Sequence, residues 1–321
     1  MRTKISLTAL AGGIIWLGLL AASRATRLEL EWIDLLFLLA PLVIVPLGLG
    51  LTSQIETGGV ASRVERIAIR IQLPCALAVV ASFFFARGTL SAILAGMWLA
   101  FCGLLTLGAV VRIYKGAFRK LDSSFPAFAF LYLPVGAVWL IGSRFGLTPL
   151  GFQEPIVLLT AVHFHYAGFA APILARSSRL ALMRSTPSSA RPVLLNLVAA
   201  GVLVGPALLA AGFVIGPRVK LTAAVVLAFS EISLALSFLF ALKQVTNFAS
   251  KILIALASVS VVFAMVLAAL WAIGEYPLQP FVHLAGMARL HGTANALGFT
   301  LCGLIGWAQA QKCLVRLGGN S

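Results

Sequence analysis

Charge is scarce in this sequence, and acidic charge is scarcer still. Only 10% of its 321 residues are charged, with nine Asp and Glu against 24 Lys and Arg. A soluble globular chain carries about 25% charged residues, so a soluble fold is excluded. Ten-residue segments of alternating polarity are also absent, which excludes a membrane β-barrel. The four cysteines (Cys75, Cys102, Cys302 and Cys313) form no CxxC pair. They read as small packing residues, not as disulfides or a metal clip. There is no P-loop, no GxGxxG after a strand, no HExxH and no GxSxG. The HxxxH and HxxHH clusters of membrane desaturases are missing too. These absences argue against ATP-driven pumping by this chain alone and against a di-iron lipid oxidase.

What remains is hydrophobic: 61% of the residues are apolar and the mean hydropathy is +1.04. Apolar runs long enough to cross about 30 Å of hydrocarbon recur along the whole chain. Backbone in lipid must satisfy its own hydrogen bonds, so the expected fold is all-α. We expect a polytopic bundle of about ten transmembrane helices in a single domain, 1–321. The expected spans are about 5–22, 33–53, 68–86, 89–111, 125–143, 155–175, 192–214, 221–242, 249–273 and 284–309. The run from Ile5 to Ala22 is read as a retained first helix, not a cleaved leader. Ser177, Ser178, Ser185, Pro187, Ser188, Ser189 and Pro192 mark a polar loop. No sequence repeat is evident, although a five-plus-five arrangement fits the span count.

The net charge of +15 sits in short loops and reads as topology, not nucleic-acid binding. Placing the N-terminus inside puts seventeen of the 24 Lys and Arg in inner segments, six in outer ones and Arg289 within the last span. This predicts a bacterial-type inner-membrane protein with both termini cytoplasmic. The basic patch Arg112, Lys115, Arg119 and Lys120 holds its loop inside and could meet anionic lipid. Trp32, Trp139, Trp271 and Trp307 fit an interfacial belt, and Phe83-Phe84-Phe85 reads as lipid-facing bulk.

Polar groups within spans are costly and count as functional candidates. All four histidines, His163, His165, His283 and His291, lie in or beside spans. The sixth span carries His163-Phe164-His165-Tyr166 and the eighth carries Glu231. The last carries Arg289, His291, Thr293 and Asn295, with His291 and Asn295 on one helical face. Catalytic or proton-handling candidates are therefore His163, His165, Tyr166, Glu231, His291 and Asn295. Arg289, His283 and Glu275 are candidates for substrate binding. The depths suit a shared cavity in the outer half of the bundle.

Three chemistries fit these residue types. A transition metal could be held by His163 or His165 together with His291 and Glu231. Residues i and i+2 of a regular helix point about 200° apart, so only one of the first pair could join, unless the helix unwinds locally. Acid–base chemistry on a small lipophilic, lipid- or isoprenoid-like substrate is the second. Proton-coupled transport of a small solute is the third, with Pro172, Pro206, Gly201, Gly205, Gly292 and Gly298 as candidate helix breaks. A tie between helices is the bland alternative for any one of these residues, at about 0.6 kcal/mol per interhelical bond. The reading leans to an intramembrane enzyme, with the carrier as the alternative. Membrane lipids and a small ligand are the expected partners.

Two stretches, His163-Phe164-His165-Tyr166-Ala167-Gly168-Phe169 and His291-Gly292-Thr293-Ala294-Asn295-Ala296-Leu297-Gly298-Phe299, resemble the YndJ-like membrane protein family. The layout of about ten spans resembles it as well. Members are often labelled transporter-like, and the family brings no established substrate or reaction. The resemblance implies that His163, His165, His291 and Asn295 form its polar centre.

Overall fold

The computed structural model describes residues 2–25, 28–52, 59–116, 121–183, 191–276 and 283–318. The basic residues Arg119 and Lys120 and the loop residues Ser185, Pro187, Ser188 and Ser189 lie outside the described residues. Ser177 and Ser178 are not in a loop but buried in the helix Ala171–Met183, and Pro192 lies in the first turn of the helix Arg191–Ile215. The expected all-α fold is observed: every regular element among the described residues is helical. Among the described residues, eight helices are long and apolar enough to cross a membrane. The other two expected spans are helical too. They fall on the helices Gly59–Ser82 and Leu284–Gly318, which carry Arg63, Glu65, Arg66 and Arg70, and Arg289, His291 and Asn295.

The chain forms two compact units, Met1–Ala170 and Ala171–Ser321. The first contains α1 (Arg2–Arg24), α2 (Trp32–Leu39), a π-helical turn Ala40–Ile44, α3 (Val45–Thr52), α4 (Gly59–Ser82), α5 (Thr89–Tyr114), α6 (Leu121–Phe145), α7 (Ile156–His163) and a π-helical segment Phe164–Ala170. The second contains α8 (Ala171–Met183), α9 (Arg191–Ile215), α10 (Pro217–Ala241), α11 (Phe248–Glu275), α12 (Leu284–Thr293), a π-helical segment Ala294–Leu301 and α13 (Cys302–Gly318).

The helix Trp32–Thr52 is the core of the first unit. Its residues from Leu35 to Val45 are buried on every side, as expected for a helix apolar all round. Two prolines explain its π turn. Pro41 and Pro46 have no N–H, so carbonyls on the preceding turn lose their helical donors. Side chains supply the replacements. Tyr166 donates its hydroxyl to the Leu36 carbonyl at 2.8 Å, and Gln72 donates Nε2–H to the Pro41 carbonyl at 2.6 Å. Trp16 donates its indole N–H to the Leu35 carbonyl at 2.7 Å.

The last eight spans repeat a four-helix plan. α4, α5, α6 and α7 with its π segment are matched by α9, α10, α11 and α12 with its π segment. The landmarks recur at a spacing of 128–130 residues (88 to 216, 168 to 298). α5 starts from Gly88 at φ 156°, and α10 from Gly216 at φ 142°, a backbone open to glycine alone. The π segments start at Phe164 and Ala294, and both contain a Gly-Phe pair, Gly168-Phe169 and Gly298-Phe299. Each of these glycines faces the third helix of its set. A Cβ on Gly168 would lie 2.8 Å from the Tyr132 Cβ, and one on Gly298 would collide with the Ser260 side chain. Tyr132 and Ser260 are themselves 128 residues apart (132 to 260). The landmarks thus follow four plus four, with α1 and the Trp32–Thr52 helix outside the pattern.

Some expectations change. Gly201 and Gly205 do not break α9, which runs on through Pro206. They seat α10 instead, with Gly201 against Ser230 and Gly205 against Leu227. Trp307 is not in a lipid-facing belt but is buried edge-on against Phe238, 5.7 Å between centroids. Phe84 and Phe85 are exposed as expected, whereas the Phe83 ring carries the Arg144 guanidinium. Arg112 pairs with Glu65 through both Nη atoms.

Candidate functional site

The polar residues of the sixth span belong to the first unit, and those of the eighth and last to the second. In the first unit His165 is wholly buried. Its Nδ1 lies 2.7 Å from the Ala161 carbonyl and its Nε2 lies 2.9 Å from the Trp98 indole nitrogen. A carbonyl only accepts and an indole N–H only donates. His165 therefore holds its proton on Nδ1 and presents a lone pair from Nε2 to Trp98. Both nitrogens are committed, and Phe37 meets the ring edge-on at 5.2 Å. Gly136 provides the room, since a Cβ there would come within 2.7 Å of Nδ1. His163 is half-buried, with its ring edge-on to Phe164 at 5.5 Å. Tyr166 spends its hydroxyl on the Leu36 carbonyl.

In the second unit His291 is half-buried at the end of α12. Its Nδ1 lies 2.8 Å from the Ala264 carbonyl, so this nitrogen also carries the proton. Its Nε2 faces the Asn295 amide at 3.0 Å. The structure thus brings His291 and Asn295 together, as the i,i+4 spacing requires. Asn295 stands at the counterpart of His165 (165 to 295), and both reach back one helical turn.

Glu231 is 3% exposed in the middle of α10. Neither carboxyl oxygen finds a hydrogen-bond partner among the described residues. Its neighbour Ser230 donates instead to the Val226 carbonyl at 2.8 Å. Glu275 pairs with Lys220 at 2.9 Å. Arg289 is exposed on α12, and its carbonyl accepts the Thr293 hydroxyl. His283 is exposed at the N-cap of α12. Among the described residues no three His, Cys, Asp or Glu gather to hold a metal ion.

Trp98 and Gln72 are the partners that sequence reasoning missed. Trp98 sits mid-span, away from any interface, and Gln72 is the one amide in the apolar part of α4. Those placements were the available signal.

The YndJ-like protein family model matches residues 35–299, which takes in both polar motifs and most of both units. The chain belongs to the YndJ-like family. It is 26% identical over 212 residues to the uncharacterized membrane protein YndJ of Bacillus subtilis (strain 168). That match covers 66% of this chain and 37% of the relative, so the chain spans well under half of that protein's length. No solved structure matches the chain. Family membership and the spans establish an integral membrane protein.

Proposed function

We propose that this YndJ-like protein is a proton-coupled secondary carrier of a small solute, with His291 and Asn295 as its proton-responsive pair. The observation that carries this reading is the amide facing His291 Nε2. An amide presents two donors on one side and an acceptor on the other. With neutral imidazole its NH2 faces the lone pair, and with imidazolium a turn of the amide brings its oxygen to the new N–H. The pair stays hydrogen-bonded in either state. His165 has no such freedom, because Trp98 can offer only an N–H. A repeated set with an even number of spans also supports a carrier, since this is the arithmetic of parallel-repeat carriers. π-helical turns are frequent at functional sites, and His291 stands just before one.

The charge distribution supports insertion with both termini cytoplasmic. Glu231 and His163 are further candidates for the proton path. Arg289, His283 and Glu275 are candidates for solute entry.

The second reading is an intramembrane enzyme doing acid–base chemistry on a small lipophilic substrate, and Glu231 favours it. An unpaired carboxylate is costly to bury, so this group must hold a proton or meet a ligand, and either suits an acid catalyst.

Proteoliposomes containing a pH-sensitive dye separate the two. A carrier couples dye acidification to uptake of a solute from a screened panel, and His291→Ala abolishes the coupling. Proton flux that is identical in wild-type, His291→Ala and protein-free vesicles overturns the assignment. A chemically altered lipid in extracts incubated with the protein would favour the enzyme.

A further inference from the structure

We propose that the end of α6 holds a phosphate-type oxyanion, bound by Arg144 with Ser143 beside it. This site is separate from the carrier reading and does not rest on it. Arg144 stands in the last turn of α6, yet it is only 6% exposed. Its guanidinium lies over the Phe83 ring, 4.2 Å from the centroid. No carboxylate among the described residues comes within ion-pair distance of it. Its Nε is buried without a hydrogen-bond partner, and so is the Oγ of the wholly buried Ser143. Buried charges are ordinarily paired and hydrogen-bonded.

The nearby acids, Asp34 and Glu154, lie beyond ion-pair distance of Arg144, and Glu154 Oε1 is itself buried without a hydrogen-bond partner. Asp34 accepts the Glu31 N–H at 2.9 Å, while Glu154 accepts the Leu158 N–H at 3.2 Å and faces Arg87 at 3.8 Å. They act on Arg144 only at longer range, against the repulsion of Arg87.

The four-helix repeat shows what a completed version looks like. Phe213, near the end of α9, is placed much as Phe83 is just past α4, and it too carries a cation. Lys220 lies 4.9 Å from the Phe213 centroid and 5.9 Å from that of Trp271. There the chain supplies its own anion, Glu275, at 2.9 Å from Lys220. Stepping back from Glu275 by the 128-residue spacing of Tyr132 and Ser260 reaches Leu147, which has no charge to offer. In the first set the same platform and cation therefore meet an anion from outside the chain. A guanidinium presents a planar fork that matches phosphate oxygens, and a serine hydroxyl adds a further donor. The last turn of a span lies at headgroup height, so an anionic lipid can present this chemistry as readily as a free solute.

The test uses the full-length protein in neutral detergent. Thermal unfolding is followed during titration with inorganic phosphate, and in parallel during titration with phosphatidylglycerol, with phosphatidylcholine as the control. Saturable stabilisation by phosphate identifies a solute site, and stabilisation by phosphatidylglycerol alone identifies a lipid site. In either case Arg144→Gln weakens the response about tenfold or more, as expected for loss of a charge-assisted bidentate contact. Arg144→Lys and Ser143→Ala weaken it less, and Lys220→Gln leaves it unchanged. A response equal in wild-type and Arg144→Gln, or absent for both ligands, overturns the proposal. If Arg144→Gln does not fold, equal affinities in wild-type, Arg144→Lys and Ser143→Ala overturn it instead.

Discussion

The Trp98 indole donates to His165 Nε2 at 2.9 Å, and this one bond fixes the state of the most buried histidine in the chain. Protonating Nε2 would turn two N–H groups toward each other in a wholly buried site. His165 is a tie between α5 and the sixth span, and His291 is left as the imidazole with a partner that can follow its proton. In ¹⁵N spectra of selectively labelled protein, His165 should keep the Nδ1–H tautomer between about pH 5 and 9, the range that normally spans histidine titration. His165→Ala should cost about 2–4 kcal/mol in thermal unfolding, from a cavity and an orphaned indole N–H. A titrating His165, or a stable alanine variant, would refute the locked arrangement.

Asn295 tests the switch from the other side. Asn295→Leu leaves the His291 Nε2 without a partner in either protonation state, and Asn295→Asp favours the imidazolium alone. Both should flatten the pH profile of proton flux, and Asn295→Leu should reduce its maximum about tenfold, as for loss of a proton-transfer partner. A variant profile that overlays the wild-type one removes Asn295 from the mechanism.

Tyr166 was a catalytic candidate by sequence, and its hydroxyl answers a backbone need. Tyr166→Phe leaves the Leu36 carbonyl unsatisfied in the core, at about 1–3 kcal/mol. Pro41→Ala restores an N–H to the same stretch. In that background the cost of Tyr166→Phe should shrink, which a double-mutant cycle reads as a coupling energy. Equal costs in both backgrounds would show that the proline and the tyrosine are unrelated.

The four-helix repeat makes a paired prediction. Gly168→Ala drives a methyl into Tyr132, and Gly298→Ala drives one into Ser260. Each should destabilise by about 1–3 kcal/mol through overpacking. Ser260→Gly should rescue Gly298→Ala and leave Gly168→Ala unaffected. No rescue would mean that the close approach of α11 to the last span is not what keeps residue 298 a glycine.

The helical class and the spans were legible because hydrocarbon thickness sets helix length, and apolar runs of that length occur nowhere else. The His291–Asn295 pair was legible too, since residues four apart meet on any helix. The partners of the other polar residues were not. Trp98 and His165 are separated by 67 positions, and no local spacing joins them. The π-helical turns shift the ladder register, which hydropathy does not record. Arg144 stands at a span end, where a positive residue normally snorkels. Its burial depends on Phe83, which arrives from another hairpin. The repeat was hidden for a similar reason: Gly-Phe persists at 168–169 and 298–299, but Tyr132 has become Ser260, and Arg144 has its functional match in Lys220 on a different helix.

Glu231 gives the sharpest separation of function from stability. The residue is 3% exposed and its carboxyl makes no hydrogen bond to any described residue, so the fold gains nothing from its charge. Glu231→Gln keeps the shape and removes the need to bury a carboxylate. Replacing a buried ionisable group with a neutral isostere should leave thermal stability equal or raise it by about 1 kcal/mol. Proton-coupled uptake should fall at least about tenfold if the carboxyl carries the proton. Loss of stability with uptake intact would make Glu231 a structural residue and move the proton path to His291 alone. Unchanged stability with unchanged uptake would remove it from both roles.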